Sequence, residues 1–361
     1  MDKLRVGLLF GGRSVEHEVS LASATSVLGA LDPSRYDVRL LCVDHAGRWH
    51  LAAPGTLPES ASRGDEVNLP AVPGEHSLRA AETGTPVASL DVVIPMIHGT
   101  GGEDGCVQGL LELAGIPYVG SGVLGSALQM DKEVSKRLLA TAGIPVVPGL
   151  ATTSHALERE GDAIVERAVA EFGLPLFVKP ACLGSSVGIS KVVEPAALRT
   201  ALAEAARYDA KILVERAIDG REIEVAVLGS HAPEASVPGE ILPKRDWYDY
   251  QAKYADDETE LVIPAPVDEA QSEELRRLAV AAYRCLEGGG LGRVDFFLCR
   301  TSGQLYVSEV NSLPGFTEMS MFPRLWKASG LGYPALLDRL IEQALDHHRE
   351  RQALETIYRA P

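Results

Sequence analysis

Two short stretches near the C-terminal end of this 361-residue chain carry residue types suited to a hard cation, Arg293-Val-Asp295 and Glu309-Val-Asn311. They read as the two arms of a hairpin. Side chains two apart on a strand share a face, so Glu309 and Asn311 point the same way. A three-residue connection, Thr301–Gly303 with Gly303 in the left-handed conformation, predicts Asp295 opposite Glu309. Asp, Glu and Asn on one face among Phe296, Phe297, Leu298 and Val310 are costly unless a cation pairs them. Hard oxygen ligands at few positions suit Mg²⁺, which keeps its other positions for water and phosphate oxygens. The alternative is a solvated sheet face.

A second stretch, Lys179-Pro-Ala-Cys-Leu-Gly184-Ser185-Ser186-Val-Gly188, places a lysine at the end of a strand before a Gly/Ser loop. Free backbone N–H groups and hydroxyls there could wrap phosphate oxygens while the lysine supplies charge, or the segment is an ordinary hairpin loop. Gly11-Gly-Arg-Ser-Val-Glu16-His-Glu-Val-Ser20 and His98-Gly-Thr-Gly-Gly-Glu103-Asp-Gly105 each follow a strand and open a helix, where ligands of open α/β sheets bind. Glu16 could pair an ammonium; His98 could meet a carboxylate or cap a turn. Tyr248-Asp-Tyr-Gln-Ala-Lys253-Tyr254 sets a lysine among aromatics in a polar loop, as lids and exposed linkers both do. Gly120-Ser-Gly122-Val-Leu-Gly125 fits the dinucleotide pattern, but no acid ends the next strand. No G-x-x-x-x-G-K-[ST] occurs, so P-loop nucleotide binding is unsupported.

The elements that would position these residues alternate at first between strand and helix. Strands are predicted at Leu4–Phe10, Val38–Val43, Val92–Ile97 and Ile116–Val119, and helices at about Ser20–Leu31, Gly105–Ala114 and Ser126–Ala142. That alternation implies a mostly parallel sheet. Residues 52–90, rich in Pro, Gly, Ala and Ser, read as a variable excursion whose sequence points to no function. A smaller α+β block follows, with a hairpin at Leu176–Lys179 and Val187–Val193, a helix at Pro195–Arg207, and strands at Lys211–Ala217 and Glu222–Leu228. Beyond the polar stretch 243–260 come a helix at Asp268–Glu287, the cation-bearing hairpin, and helix from Ser320 with a break at Pro334.

Composition narrows the partners. Lys+Arg 34 against Asp+Glu 50 gives a net charge of −16, which argues against wholesale nucleic-acid or acidic-membrane binding but leaves room for one small anionic substrate. No apolar run reaches the ~18 residues of a transmembrane helix, and the start lacks a secretory pattern. Five scattered cysteines without C-x-x-C read as thiols in a reducing compartment, so the chain is expected in the cytoplasm.

In one order along nearly the whole chain, the Gly11–Ser20, His98–Gly105, Gly120–Gly122, Met130–Lys132, Val178–Pro180, Gly184–Gly188, Tyr248–Tyr254 and Glu309–Thr317 segments resemble the D-alanine–D-alanine ligases of the ATP-grasp superfamily. The resemblance implies a three-domain α/β and α+β fold: an amino-terminal parallel-sheet, Rossmann-like unit (1–128), a central ATP-grasp unit (129–225) and a carboxy-terminal catalytic unit (226–361). It implies that two D-alanines are joined with ATP through an acyl phosphate, in a cytoplasmic homodimer supplying a peptidoglycan precursor.

Roles carry over by matching position. Lys132 and Lys179 resemble the phosphate lysines, Ser185 and Ser186 the glycine-rich loop, and Glu215 and Glu222 the carboxylates on the adenine and ribose side. Asp295, Glu309 and Asn311 resemble the ligands of two Mg²⁺ ions, with Mn²⁺ able to substitute. Glu16 looks like the anchor of the first ammonium, linked through Ser185 to Tyr254 on the lid, where Lys253 reaches the γ-phosphate. His98 resembles the group meeting the first carboxylate, Arg293 and the Gly315 N–H the oxyanion donors, and Ser320 with Met321 the second-substrate subsite. Ala181-Cys-Leu183 lacks the polar residues of some members, and Ala217-Ile218 stands where an aromatic often packs on adenine. Cys182 reads as a small filler. Ligation to D-lactate or D-serine is the competing implication; tyrosine at 254, rather than histidine, favours D-alanine.

Overall fold

The structure, a computed structural model, describes residues 3–56, 58–185, 187–242 and 260–355. Leu4–Gly11 (β1) is buried from Val6 onward, as a near-continuous apolar run requires when both sheet faces are covered. It pairs in parallel with Tyr36–Val43 (β2) and Val92–Pro95 (β7), and His17–Ala30 (α1) makes the crossover. The expected mostly parallel sheet is in fact mixed. Residues 49–89 supply Trp49–Leu51 (β3), Asp65–Asn68 (β4), Ser77–Ala80 (β5) and Pro86–Ser89 (β6), which extend the sheet antiparallel in the order β6-β5-β4-β3-β2-β1-β7. Single inward side chains such as Val67 and Leu78 suffice to seat these short strands, a signal too sparse to read from sequence. The strand expected at 116–119 contributes only a bridge between Tyr118 and Val93.

Cys106–Ala114 (α2) follows the His98 loop. The single helix expected at 126–142 is two, Val123–Met130 (α3) and Lys132–Thr141 (α4). Asp131 between them is extended (φ −84°, ψ 96°), and its carboxylate accepts from the Glu133 and Val134 N–H groups. That cap outcompetes the apolar periodicity running through it and puts Lys132 on the first turn of α4.

The second sheet is antiparallel, with order β10-β9-β11-β8 from Gly149–Thr153 (β8), Leu176–Pro180 (β9), Ser190–Val192 (β10) and Lys211–Arg216 (β11). Ser154–Phe172 (α5) and Pro195–Ala205 (α6) pack with it around Ile164, Leu198 and Val214.

The third sheet comprises Gly220–Leu228 (β12), Glu234–Ala235 (β13), Gly239–Leu242 (β14), Glu260–Val262 (β15), Leu291–Cys299 (β16) and Leu305–Asn311 (β17). Its order is β15-β14-β12-β16-β17, with β13 beside β12. Because β12 pairs with β14 and β16, a division of the chain at 225 would cut a strand. Glu269–Cys285 (α7) covers this sheet around Leu275 and Tyr283, and Met321–Ala328 (α8) and Tyr333–Gln352 (α9) complete the chain.

The largest core joins the two ends of the sequence. Val6, Leu8 and Phe10 of β1 share it with Phe316, Phe322, Leu336 and Leu340. Tyr36 Oη donates to Asp338 Oδ1 at 2.6 Å, and Arg351 clasps Glu112 at 2.6 and 3.1 Å. Among the described residues no helix is long and apolar enough to cross a membrane.

Candidate active site

A cleft of about 1070 Å³ opens where the three sheets meet, and it brings together Glu16, His98, Lys132, Lys179, Ser185, Glu215, Glu222, Arg293, Asp295, Glu309, Asn311, Gly315, Ser320 and Met321. Ser186, Lys253 and Tyr254 lie outside the described residues. A second hollow of about 830 Å³, beside Arg276 and Trp326, holds none of the expected residues.

Glu16 is where three loops converge. Its Oε1 accepts from Ser185 Oγ, joining the loop after β1 to the loop after β9. A Cβ on Gly184 would stand 2.8 Å from Glu16 Oε2, and one on Gly99 2.5 Å away, so a side chain at either position would displace this carboxylate. Ser185 itself has a positive φ of 53°, uncommon for a residue with a side chain and in keeping with a functional constraint. Beside it His98 is buried with both ring nitrogens engaged: Nδ1 donates to the Leu313 carbonyl at 3.2 Å, and Nε2 faces Ser23 Oγ at 2.9 Å. Glu103 Oε1 stands 3.8 Å from His98 Nδ1. For His98 to meet a substrate carboxylate, one of these partners has to give way.

The lysines form the next layer. Lys132 Nζ donates to the Leu183 carbonyl at 2.9 Å and lies 3.2 Å from Glu309 Oε2, while its backbone N–H donates to Ala181 O. The head of α4 is thereby pinned under the Gly/Ser loop. Burial would discharge Lys132, but Glu309 outweighs burial and holds its pKa above the ordinary value. Glu215 sits between Lys136 at 2.5 Å and Lys179 at 2.7 Å. Burial opposes its ionisation, yet the two ammonium groups keep it below the usual carboxylate range. Lys136 is pushed down to about 8, by burial first and by Lys179 after it, against the pull of Glu215.

On β16 the alternation buries Val294, Phe296 and Leu298 and turns Arg293, Asp295 and Phe297 to the cleft. Asp295 does face Glu309, by a different route from the one expected. Cys299 N–H donates to Gln304 O, so the connection is Arg300–Gly303, and a register shift between Asp295 and Phe296 restores the opposition. Arg293 meets Asp295 bidentately, both contacts at 2.7 Å, and lies 3.0 Å from Glu224. Burial works against its charge, but the acids raise its pKa well above the ordinary value. Asn311 Nδ2 donates to Asp295 Oδ2 at 2.9 Å. At the far wall Ser320 Oγ accepts from the Thr317 N–H at 3.1 Å and contacts Thr317 Oγ1 at 2.8 Å, which fixes the Thr317–Ser320 turn.

Lys136, Glu224, Ser23 and Glu103 are site residues that sequence reasoning left out. Lys136 lies one helical turn past Lys132, so the spacing held its signal once α4 is known to begin at 132. Glu224 gains its role from pairing opposite Asp295, which only the register supplies.

The D-ala D-ala ligase N-terminus family model matches residues 5–121, and the D-ala D-ala ligase C-terminus model matches 138–342. The D-alanine–D-alanine ligase of Geobacillus thermodenitrificans is 46% identical over 362 residues, covering 98% of each chain. D-alanine–D-alanine ligase A of Escherichia coli is 46% identical over 366 residues, covering 99% of this chain and all (100%) of its own. Among solved structures, the D-alanine-D-alanine ligase from Coxiella burnetii superposes with a TM-score of 0.85 at 36% identity, covering 98% of this chain and 97% of its own. The VanG D-Ala:D-Ser ligase from Enterococcus faecalis also gives 0.85, at 32% identity and covering 95% and 100%. With both halves of the chain matched and near-full-length identity this high, the chain belongs to the D-alanine–D-alanine ligase family.

Proposed function

We infer that the chain is an ATP-dependent ligase that joins two D-alanines into D-alanyl-D-alanine for peptidoglycan synthesis. The observation that carries this reading is the single cleft in which an ammonium anchor (Glu16), phosphate-type lysines (Lys132, Lys179), hard oxygen ligands and a buried arginine face one another. Lys132, Lys179 and the backbone of the Ser185 loop serve the triphosphate, and by family likeness Ser186 and Lys253 are assigned to the nucleotide as well. Glu222 serves the nucleotide's sugar side. Glu215, held between Lys136 and Lys179, orders the lysines rather than presenting a free edge to adenine.

Glu16 holds the ammonium of the first D-alanine, and His98 exchanges a partner to meet its carboxylate. That carboxylate attacks the γ-phosphorus; the β,γ-bridging oxygen leaves with ADP, and an acyl phosphate remains. The amine of the second D-alanine, seated by Ser320 and Met321, then attacks the acyl carbon and loses a proton. Arg293 and the Gly315 N–H stabilise the oxyanion of the tetrahedral intermediate, which expels phosphate. By family likeness Tyr254 is assigned a catalytic part alongside Glu16 and Ser185.

The donor set fits a hard divalent ion: Asp295, Glu309 and Asn311 offer oxygens on one face of paired strands, as Mg²⁺ prefers and Mn²⁺ accepts. Two such ions held there would neutralise and orient the phosphates. The free cysteines among the described residues support a reducing, cytoplasmic location, and by family likeness the enzyme is a homodimer.

The deciding experiment measures ADP release with D-alanine, L-alanine, D-serine and D-lactate, with the products identified by mass. Release with D-alanine alone, giving the D,D-dipeptide, is expected. Preferred incorporation of D-serine or D-lactate as the second substrate would move the substrate assignment and leave the ligase reading standing.

A further inference from the structure

Outside the cleft, one group of side chains has no part in the reaction above. We propose that His17, Glu18 and His45 form a binding site for a single borderline divalent cation, best matched by Zn²⁺, separate from the oxygen-ligand site on β16 and β17. Their ligand atoms all lie within 4.8 Å of one another, the one such group among the described residues. Two imidazoles and a carboxylate suit Zn²⁺ and its neighbours in the transition series rather than Mg²⁺.

Three features place these side chains together. His17 is buried at the first turn of α1, and its Nδ1 lies 2.9 Å from the Gly12 carbonyl. A carbonyl only accepts, so Nδ1 carries the hydrogen and Nε2 keeps its lone pair for a metal, the usual arrangement behind a histidine ligand. His45 stands on the β2–β3 turn, where Asp44 Oδ1 accepts from Ala46 N at 2.8 Å and Arg48 N at 2.9 Å, so the turn is fixed. The His17 and His45 rings stack with centroids 3.9 Å apart and 29° between planes, so the two imidazoles are already neighbours, and His45 turns off the stack to direct its nitrogen to a shared ion. Glu18, next along α1, completes the group.

Zn²⁺ bonds of about 2.0–2.1 Å put tetrahedral ligand atoms about 3.4 Å apart. Glu18 and His45 are exposed, so rotation of their side chains supplies the closure without disturbing the core. Asp44 is committed to Arg48 and His50 and is no fourth ligand; water takes that position. Arg13 packs close to Gly47 of the same turn and brings opposing charge, so affinity in the micromolar range is expected rather than tighter.

The test is calorimetric titration of the metal-stripped full chain with ZnCl₂, with excess Mg²⁺ present to occupy oxygen-only sites. The wild type should take up one more equivalent of Zn²⁺ at micromolar Kd than His45→Ala, and Glu18→Gln should bind that equivalent more weakly. Both substitutions alter exposed side chains, and circular dichroism verifies their folding. Equal stoichiometry and affinity in wild type and His45→Ala would overturn the proposal.

Discussion

Arg293 is held by two acids at once, so its guanidinium is already aimed before any substrate arrives. A donor used chiefly in the transition state should show its loss in turnover: Arg293→Ala is expected to lower kcat by roughly 10²–10³-fold with a smaller change in ATP KM. Arg293→Lys should recover little, because a point charge cannot reproduce the planar fork that meets Asp295 on two atoms. Steady-state kinetics on both variants decide it; a normal kcat with raised D-alanine KM would make Arg293 a substrate anchor instead.

Lys136 gives a pH signature of opposite sign in affinity and stability. With its pKa near 8, the Lys136–Lys179–Glu215 group loses its net positive charge as pH rises through that value. ATP KM should therefore increase above about pH 8. The folded pKa, about 8, lies below lysine's ordinary value of 10.5, so the unfolded chain holds more protons between those limits and folding stability should rise with pH across that window. Lys136→Arg stays charged and should flatten both profiles, read by ATP KM and by denaturation midpoints from pH 7 to 10.

The element that most governs the site is α4, and its start depends on one cap. Asp131→Ala should cost about 1 kcal/mol of stability. It should also raise ATP KM, because Lys132 is the first residue of α4 and Asp131 further ties it to Lys211 of β11 at 2.6 Å. Urea denaturation and ATP saturation curves measure the two effects.

The same helix shows how far sequence could reach. The apolar run of β1, the hairpin of β16 and β17, and the glycine-bearing loops around Glu16 and His98 were legible, since each signal is local. The break at 131 was not, because apolar periodicity continues through a residue whose side chain wins the competition for two N–H groups. Strands β4 to β6 were missed since each offers the core little apolar surface. The pairing of Asp295 with Glu309 was anticipated, but its bulge was not; the partnership of Arg293 with Glu224 exists only once β12 and β16 are in register.

At the scale of the molecule, no contiguous piece of chain holds the site. Glu16 meets Ser185, His98 meets the carbonyl of Leu313, and Lys132 meets Glu309. A chain ending at 312 would lose the His98 partner and 12 of the 30 buried residues of the core that contains β1. Such a truncation is expected to bind an apolar dye and to release no ADP; a well-packed 1–312 protein, resistant to protease, would contradict this account of the core.

That shared core also sets a schedule for the ribosome. The strands β1, β2 and β7 have all been synthesised by residue 95, and α1 covers part of the core face they share, yet the part that meets Phe316, Leu336 and Leu340 is not covered until the chain reaches about residue 344. At about 5–20 residues per second, that interval lasts roughly 10–50 s. Throughout it the nascent chain presents the core of Val6, Leu8 and Phe10 with its carboxy-terminal neighbours still unmade, so newborn chains, rather than the finished enzyme, are the form most exposed to aggregation and most dependent on chaperones.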